Sequence, residues 1–199
     1  YTFDIKEAKE KELIFENDQV DVSGLMYSKK RKVLTGVSYT VAKREMVFFD
    51  VWREGIQNKL EKQLPGYEVG ITSFSKDEKK AVVVTFSDKS RGTYYSYDVE
   101  KNKLTELAKV SPWINEDHMA DMRPVKYKSR DGLTINGYLT LPVGINGRNL
   151  PVVVNPHGGP WARDSWGYNS EVQFLANRGF AVFQMNFRGS TGYGREFWE

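Results

Sequence analysis

The residues with the clearest chemical potential are Asn155-Pro156-His157-Gly158-Gly159-Pro160-Trp161, which follow the valine-rich run Pro151-Val152-Val153-Val154. A glycine pair at the end of a strand leaves backbone N–H groups open to an approaching carbonyl, where any side chain would stand in the way. Such N–H groups stabilise the oxyanion that forms when a carbonyl is attacked. His157 is the titratable side chain of the loop, and a second glycine-rich stretch, Asn186-Phe187-Arg188-Gly189-Ser190-Thr191-Gly192-Tyr193-Gly194, lies about thirty residues on.

Three elements must position these loops. Pro151 to Asn155 reads as a buried strand and Glu171 to Arg178 as a helix carrying Val172, Leu175 and Ala176 on one face. Gly179 stops that helix, and Phe180 to Met185 forms a second buried strand. Strand, helix and strand in about thirty-five residues make a βαβ unit, so a mostly parallel sheet is expected to begin here. Ahead of it, Val125–Lys128 and Ile135–Leu141 alternate around Arg130-Asp131-Gly132, and the Asp-Gly pair predicts an antiparallel hairpin.

The first 110 residues have another rhythm. Ser38-Tyr39-Thr40 followed by Met46–Phe49 has a counterpart 35 residues later in Ser73-Phe74-Ser75 followed by Ala81–Val84. Tyr27 through Leu34 matches Tyr97 through Leu104 at an offset of 70. Polar turns separate these short strands, as in a four-stranded β-propeller blade, although a β-sandwich with chance internal similarity fits the same pattern. Two or three blades cannot close a ring, so further blades are expected upstream. Val51 to Leu60 fits a long hairpin loop or a short helix. Ser111 to Pro124, with two prolines and a polar middle, reads as the crossing between domains. The organisation expected is therefore mixed: β-propeller blades over 1–110, a linker over 111–124, and an α/β domain from 125 to 199.

Together these features resemble the prolyl oligopeptidase family of serine peptidases, especially its acylaminoacyl-peptidase and dipeptidyl-peptidase-like branch. The likeness rests on His157-Gly158-Gly159-Pro160, on Asn186 through Gly194, and on Ser129-Arg130-Asp131-Gly132 ahead of Gly137-Tyr138-Leu139. It implies a propeller followed by the N-terminal part of an α/β-hydrolase domain, and hydrolysis of short peptides through an acyl-enzyme. Gly159, helped by Gly158, would then supply one oxyanion donor. The triad of this fold runs serine, acid, histidine, so His157 precedes any nucleophile and is read as fixing the glycine loop rather than as the base. No G-x-S-x-G string occurs in the 199 residues, and Ser190 in Gly189-Ser190-Thr191-Gly192 lacks that spacing. Nucleophile, acid and base are thus expected beyond Glu199, and the chain alone is expected to be inactive. Arg188 is read as a tie to carbonyl or carboxylate groups of its loop, with substrate contact as the alternative.

Composition narrows the alternatives. The 29 basic and 26 acidic side chains are interspersed, and no basic-aromatic motif of a nucleic-acid module appears, so no nucleic-acid partner is expected. With no cysteine and two distant histidines, no metal or other cofactor is implied. No apolar run is long enough to span a membrane, and a cysteine-free chain fits cytoplasm and periplasm alike. Two other functions remain: a carboxylesterase, whose loop would carry a third glycine at the place of Pro160, and a noncatalytic propeller-based binding module.

Overall fold

The computed structural model describes residues 1–145, 147–159 and 161–199. Pro160, which takes part in the loop motif, lies outside the described residues. A small hairpin, β1 (Phe3–Asp4) with β2 (Lys9–Glu10), precedes a three-stranded antiparallel sheet of β3 (Val22–Ser28), β4 (Val33–Thr40) and β5 (Arg44–Phe48). Helix α1 (Val51–Gln63) leads into a four-stranded antiparallel meander of β6 (Glu68–Phe74), β7 (Lys80–Phe86), β8 (Thr93–Asp98) and β9 (Lys103–Lys109).

The ambiguity at residues 51–60 resolves as helix. Asp50 caps it by accepting from the Arg53 N–H at 2.8 Å, and Glu54 in the first turn and Lys62 in the last complement the helix dipole. Its buried face is Arg53, Ile56, Gln57 and Leu60. Two of these four are polar, which interrupts the apolar stripe that would announce a helix in sequence. Burial of Gln57 is compensated by its amide, which donates to the Val69 carbonyl at 2.9 Å. Ile56 and Leu60 pack on Val69, Ala81, Val83 and Tyr97 of the meander, where β7 buries alternate residues as strand periodicity requires.

The internal offsets correspond to hairpins. β4–β5 and β6–β7 are the pair separated by 35 residues, while β3–β4 and β8–β9 are the pair separated by 70. Lys32 and Asn102, equivalent positions in the latter two turns, both adopt positive φ, 57° and 50°. The sheets themselves count three and four strands, so the 35-residue spacing marks a recurring hairpin within sheets of unequal size.

A one-turn 3-10 helix at Glu116–His118 leads to the second region. There β10 (Met122–Lys128), β11 (Thr134–Thr140), β12 (Val152–Val154) and β13 (Ala181–Asn186) form one sheet in the order β10-β11-β13-β12, with α2 (Ser170–Asn177) as the crossover and α3 (Arg195–Trp198) after it. The Asp-Gly hairpin forms as expected, with Gly132 at φ 86°. So does the βαβ unit: Asn169 caps α2 by accepting from the N–H groups of Glu171 and Val172, and Gly179 at φ 89° ends it. Two expectations need correction. The sheet is not mostly parallel within this chain, since β10–β11 and β11–β13 are antiparallel and β12–β13 is the one parallel pair among the described residues. Nor is β12 buried within these 199 residues: among the described residues it pairs on one side only, and Val152 and Val154 stand 58% and 54% exposed. A valine run signals strand formation but does not say how many neighbours the strand will have.

Candidate active site

The glycine loop leaves β12 at its C-terminal end, the end at which parallel strands present their loops and binding crevices. Gly158 and Gly159 are exposed, and Gly159 has φ 141°, in the region that disfavours a side chain. A Cβ there would lie 2.9 Å from the Trp161 backbone nitrogen, too close without movement of the loop. Nothing lies within 4 Å of the corresponding position at Gly158. Trp161 is 70% exposed and meets Trp198 of α3 edge to face, with ring centroids 6.0 Å apart.

His157 is tied on both ring nitrogens. Nδ1 lies 2.8 Å from the Gly158 carbonyl, which can only accept, so Nδ1 carries a proton. Nε2 lies 2.8 Å from Ser190 Oγ, and in the neutral ring it accepts from that hydroxyl. The ring also stacks on Phe187 at 4.4 Å. Although a serine hydroxyl against an imidazole resembles an activated nucleophile, Ser190 is fully buried and no carboxylate holds Nδ1. The pair therefore joins the two glycine-rich loops. His157→Ala is expected to lower kcat of the intact protein by about 10²-fold through misplacement of the loop, with His157→Gln recovering part of it. Removal of a triad base costs about 10⁶-fold, so steady-state kinetics of the two variants separates positioning from proton transfer.

A polar network beneath this junction has no counterpart in the sequence reading. The Asp164 N–H donates to Asn186 Oδ1 at 2.7 Å, and Asn186 Nδ2 returns a bond to the Asp164 carbonyl at 3.1 Å and donates to the Tyr193 hydroxyl at 2.8 Å. Arg163 donates to the same hydroxyl at 2.7 Å and to the carbonyls of Thr40 and Val41 at 3.2 and 3.4 Å. Tyr138 donates to the Ala42 carbonyl at 2.8 Å, and the Lys43 ammonium sits 3.5 Å from the Trp166 ring centroid. The β4–β5 turn is thereby docked beside the candidate site. The sequence signal was an Arg-Asp pair just past the glycines, which is too common to single out alone.

Asp164 Oδ1 accepts from Gln184 Nε2 at 2.9 Å, but Oδ2 is buried without a partner among the described residues. Burial pushes its carboxyl above the ordinary 3.8, outweighing the opposing pull of His157 and the Gln184 hydrogen bond. The folded state then holds this proton more tightly than the unfolded chain. Its contribution to stability is greatest below about 3.8 and is lost as pH rises through the folded value. Asp164→Asn, which keeps the Oδ1 acceptor and removes the charge, is expected to raise Tm by roughly 2–4 °C at pH 8 and by little at pH 4. Thermal denaturation at the two pH values checks the trend.

Arg188 pairs with the Asp131 carboxylate, linking the β10–β11 turn to the second glycine-rich loop. Both side chains are more than half exposed, so the pair orients the loop without large energetic weight. The Asp131 carboxyl is held below its ordinary range first by the Ser129 hydroxyl, then by the Leu133 N–H, with Arg188 adding to both. His118 is exposed on the 3-10 turn and distant in sequence from either loop. Among the described residues no group of three or more histidine or acidic side chains could hold a metal ion, and no helix is long and apolar enough to cross a membrane.

A model of the prolyl oligopeptidase family matches residues 166–199, which include α2, β13 and the second glycine-rich loop. Across 99% of its length the chain is 34% identical to dipeptidyl aminopeptidase BIII of Pseudoxanthomonas mexicana. The chain belongs to the prolyl oligopeptidase family. A second family relative, dipeptidyl peptidase family member 6 of Caenorhabditis elegans, is 26% identical over 97% of the chain. The chain spans 29% of the length of each of these two relatives. A solved structure from work on two prolyl endopeptidases covers 98% of the chain with 29% of its own length, at a TM-score of 0.69 and 19% identity. At that identity the likeness is one of fold, and such neighbours are propeller plus α/β-hydrolase enzymes.

Proposed function

We propose that the protein carrying this chain is a serine-type peptidase that cleaves short peptides through an acyl-enzyme, with the chain supplying one part of the active site. The observation that carries the reading is the Gly158-Gly159 loop: exposed, conformationally restricted to glycine at Gly159, and pinned by His157 to Ser190 in a family of peptidases. In this reading the Gly159 N–H is one donor to the tetrahedral oxyanion, with Gly158 keeping the approach open. A serine, an acid and a histidine from outside these 199 residues complete the site, and the chain by itself does not turn over substrate. Arg188 acts on loop position, and substrate contact is secondary because its guanidinium is already engaged by Asp131.

The same reading assigns 1–110 to β-propeller blades, 111–124 to the linker and 125–199 to the first part of the α/β-hydrolase domain. The four-stranded meander β6–β9 supports the blade assignment, and the βαβ unit around α2 supports the hydrolase assignment. The docked β4–β5 turn would let the propeller limit access to small substrates. The intact protein is expected to release naphthylamine from aminoacyl or dipeptidyl naphthylamides and to be blocked by a fluorophosphonate bound to a serine outside 1–199. Turnover of short acyl esters alone, or a label on a serine within 1–199, overturns the proposal.

A further inference from the structure

Away from the His157 loop, a cavity of about 730 Å³ opens among β3, β6 and the start of α1. Six basic side chains line it, three of them lysines and three the arginines 31, 44 and 53, against the single carboxylate of Glu78. That imbalance is local, because the whole chain carries 29 basic and 26 acidic groups.

The three arginines differ in how they are satisfied. Arg31 holds both oxygens of Asp50, at 2.6 and 3.1 Å, lies 3.4 Å from Glu78, and covers the Trp52 ring. Arg53 is only 5% exposed, and no carboxylate lies within ion-pair distance of it among the described residues. Its one side-chain hydrogen bond there goes to the neutral Gln57 Oε1 at 3.2 Å, and its remaining neighbours include the ring faces of Phe48 and Phe74 at 5.2 and 6.0 Å. Arg44 shares the cavity and has no carboxylate partner there either. A buried guanidinium with no direct ion-pair partner is costly, and an anion reaching the cavity would offset that cost. Burial, reinforced by repulsion from Arg44, pushes the Arg53 guanidinium down to about 10 against the smaller opposing pull of Glu61 and Asp50, the direction an incoming anion would reverse.

We propose that this cavity binds a small molecule bearing a phosphate or carboxylate head on an apolar or aromatic body. Arg53 and Arg44 take the head, since guanidinium forks match the oxygens of either group, and Trp52, Phe74 and Ile71 take the body. The volume falls within the range of small-molecule sites, about 300–1,000 Å³. The site does not depend on the peptidase reading, because no residue of the glycine loop lines it.

Calorimetric titration of the intact protein at low ionic strength tests this with phenyl phosphate, N-acetylphenylalanine, inorganic phosphate and neutral benzyl alcohol. At least one of the two aromatic anions is expected to bind with Kd below about 1 mM, more tightly than inorganic phosphate, while benzyl alcohol does not bind measurably. Tighter binding of phenyl phosphate assigns a phosphate head, and tighter binding of N-acetylphenylalanine a carboxylate head. Arg53→Met is expected to abolish binding and the exposed Arg44→Gln to weaken it about 10-fold. If Arg53→Met fails to fold, Arg44→Gln decides alone. Failure of both aromatic anions to bind below about 10 mM, or affinity unchanged in Arg44→Gln, overturns the site.

Discussion

Gly159→Ala is expected to lower kcat of the intact protein by about 10²–10³-fold, with a much smaller change in KM, if its N–H serves the oxyanion as proposed. Two effects act together. At φ 141° a Cβ introduces backbone strain of roughly 1–3 kcal/mol, and its position 2.9 Å from the Trp161 nitrogen forces the loop to move. The N–H assigned to the oxyanion then points elsewhere, and that loss appears in the transition state more than in substrate binding. Gly158→Ala is the internal control. Nothing lies within 4 Å of its added methyl, so it obstructs the approach to the loop without the same strain. Steady-state kinetics with a naphthylamide substrate checks both, and equal kcat for Gly159→Ala and the parent would remove Gly159 from the oxyanion site.

Gly137→Val is expected to destabilise the second region by more than about 4 kcal/mol, beyond the ordinary range for a point substitution. Gly137 sits in β11 opposite Met185 of β13, and a Cβ would lie 2.4 Å from the Gln184 carbonyl oxygen and 3.2 Å from the Met185 Cα. These are backbone atoms within a paired strand and cannot swing aside. The two strands must separate where Tyr138 and Val182, both nearly fully buried, contribute to the core. Because β13 leads into Asn186 and Ser190, loss of this pairing also releases the anchors of the candidate site. Chemical denaturation followed by tryptophan fluorescence measures the effect. A midpoint within error of the parent would show that the strand tolerates the side chain.

Much of the local structure is written in adjacent residues. Asp131-Gly132 specifies a hairpin because glycine takes the positive φ that the turn needs. Residues 169–179 specify a helix because an asparagine cap, an apolar face and a terminal glycine stand at the right spacing. His157-Gly158-Gly159 likewise marks an open loop after a strand. The helix at 51–63 was less legible, since Arg53 and Gln57 occupy the buried face where apolar residues would signal it.

The sequence alone therefore determined the hairpins, the strand-helix-strand unit and the glycine loop, all of which depend on neighbours within a few turns of the chain. Tertiary structure decided what those elements meet. It paired β12 with β13, paired β13 antiparallel with β11, and brought Arg163 to the carbonyls of Thr40 and Val41. It also converted evenly interspersed charges into one cavity lined by Arg31, Arg44 and Arg53. Spacing along a chain fixes local dihedrals and faces, whereas the charge and packing partners of a side chain depend on which distant strands and turns fold against it.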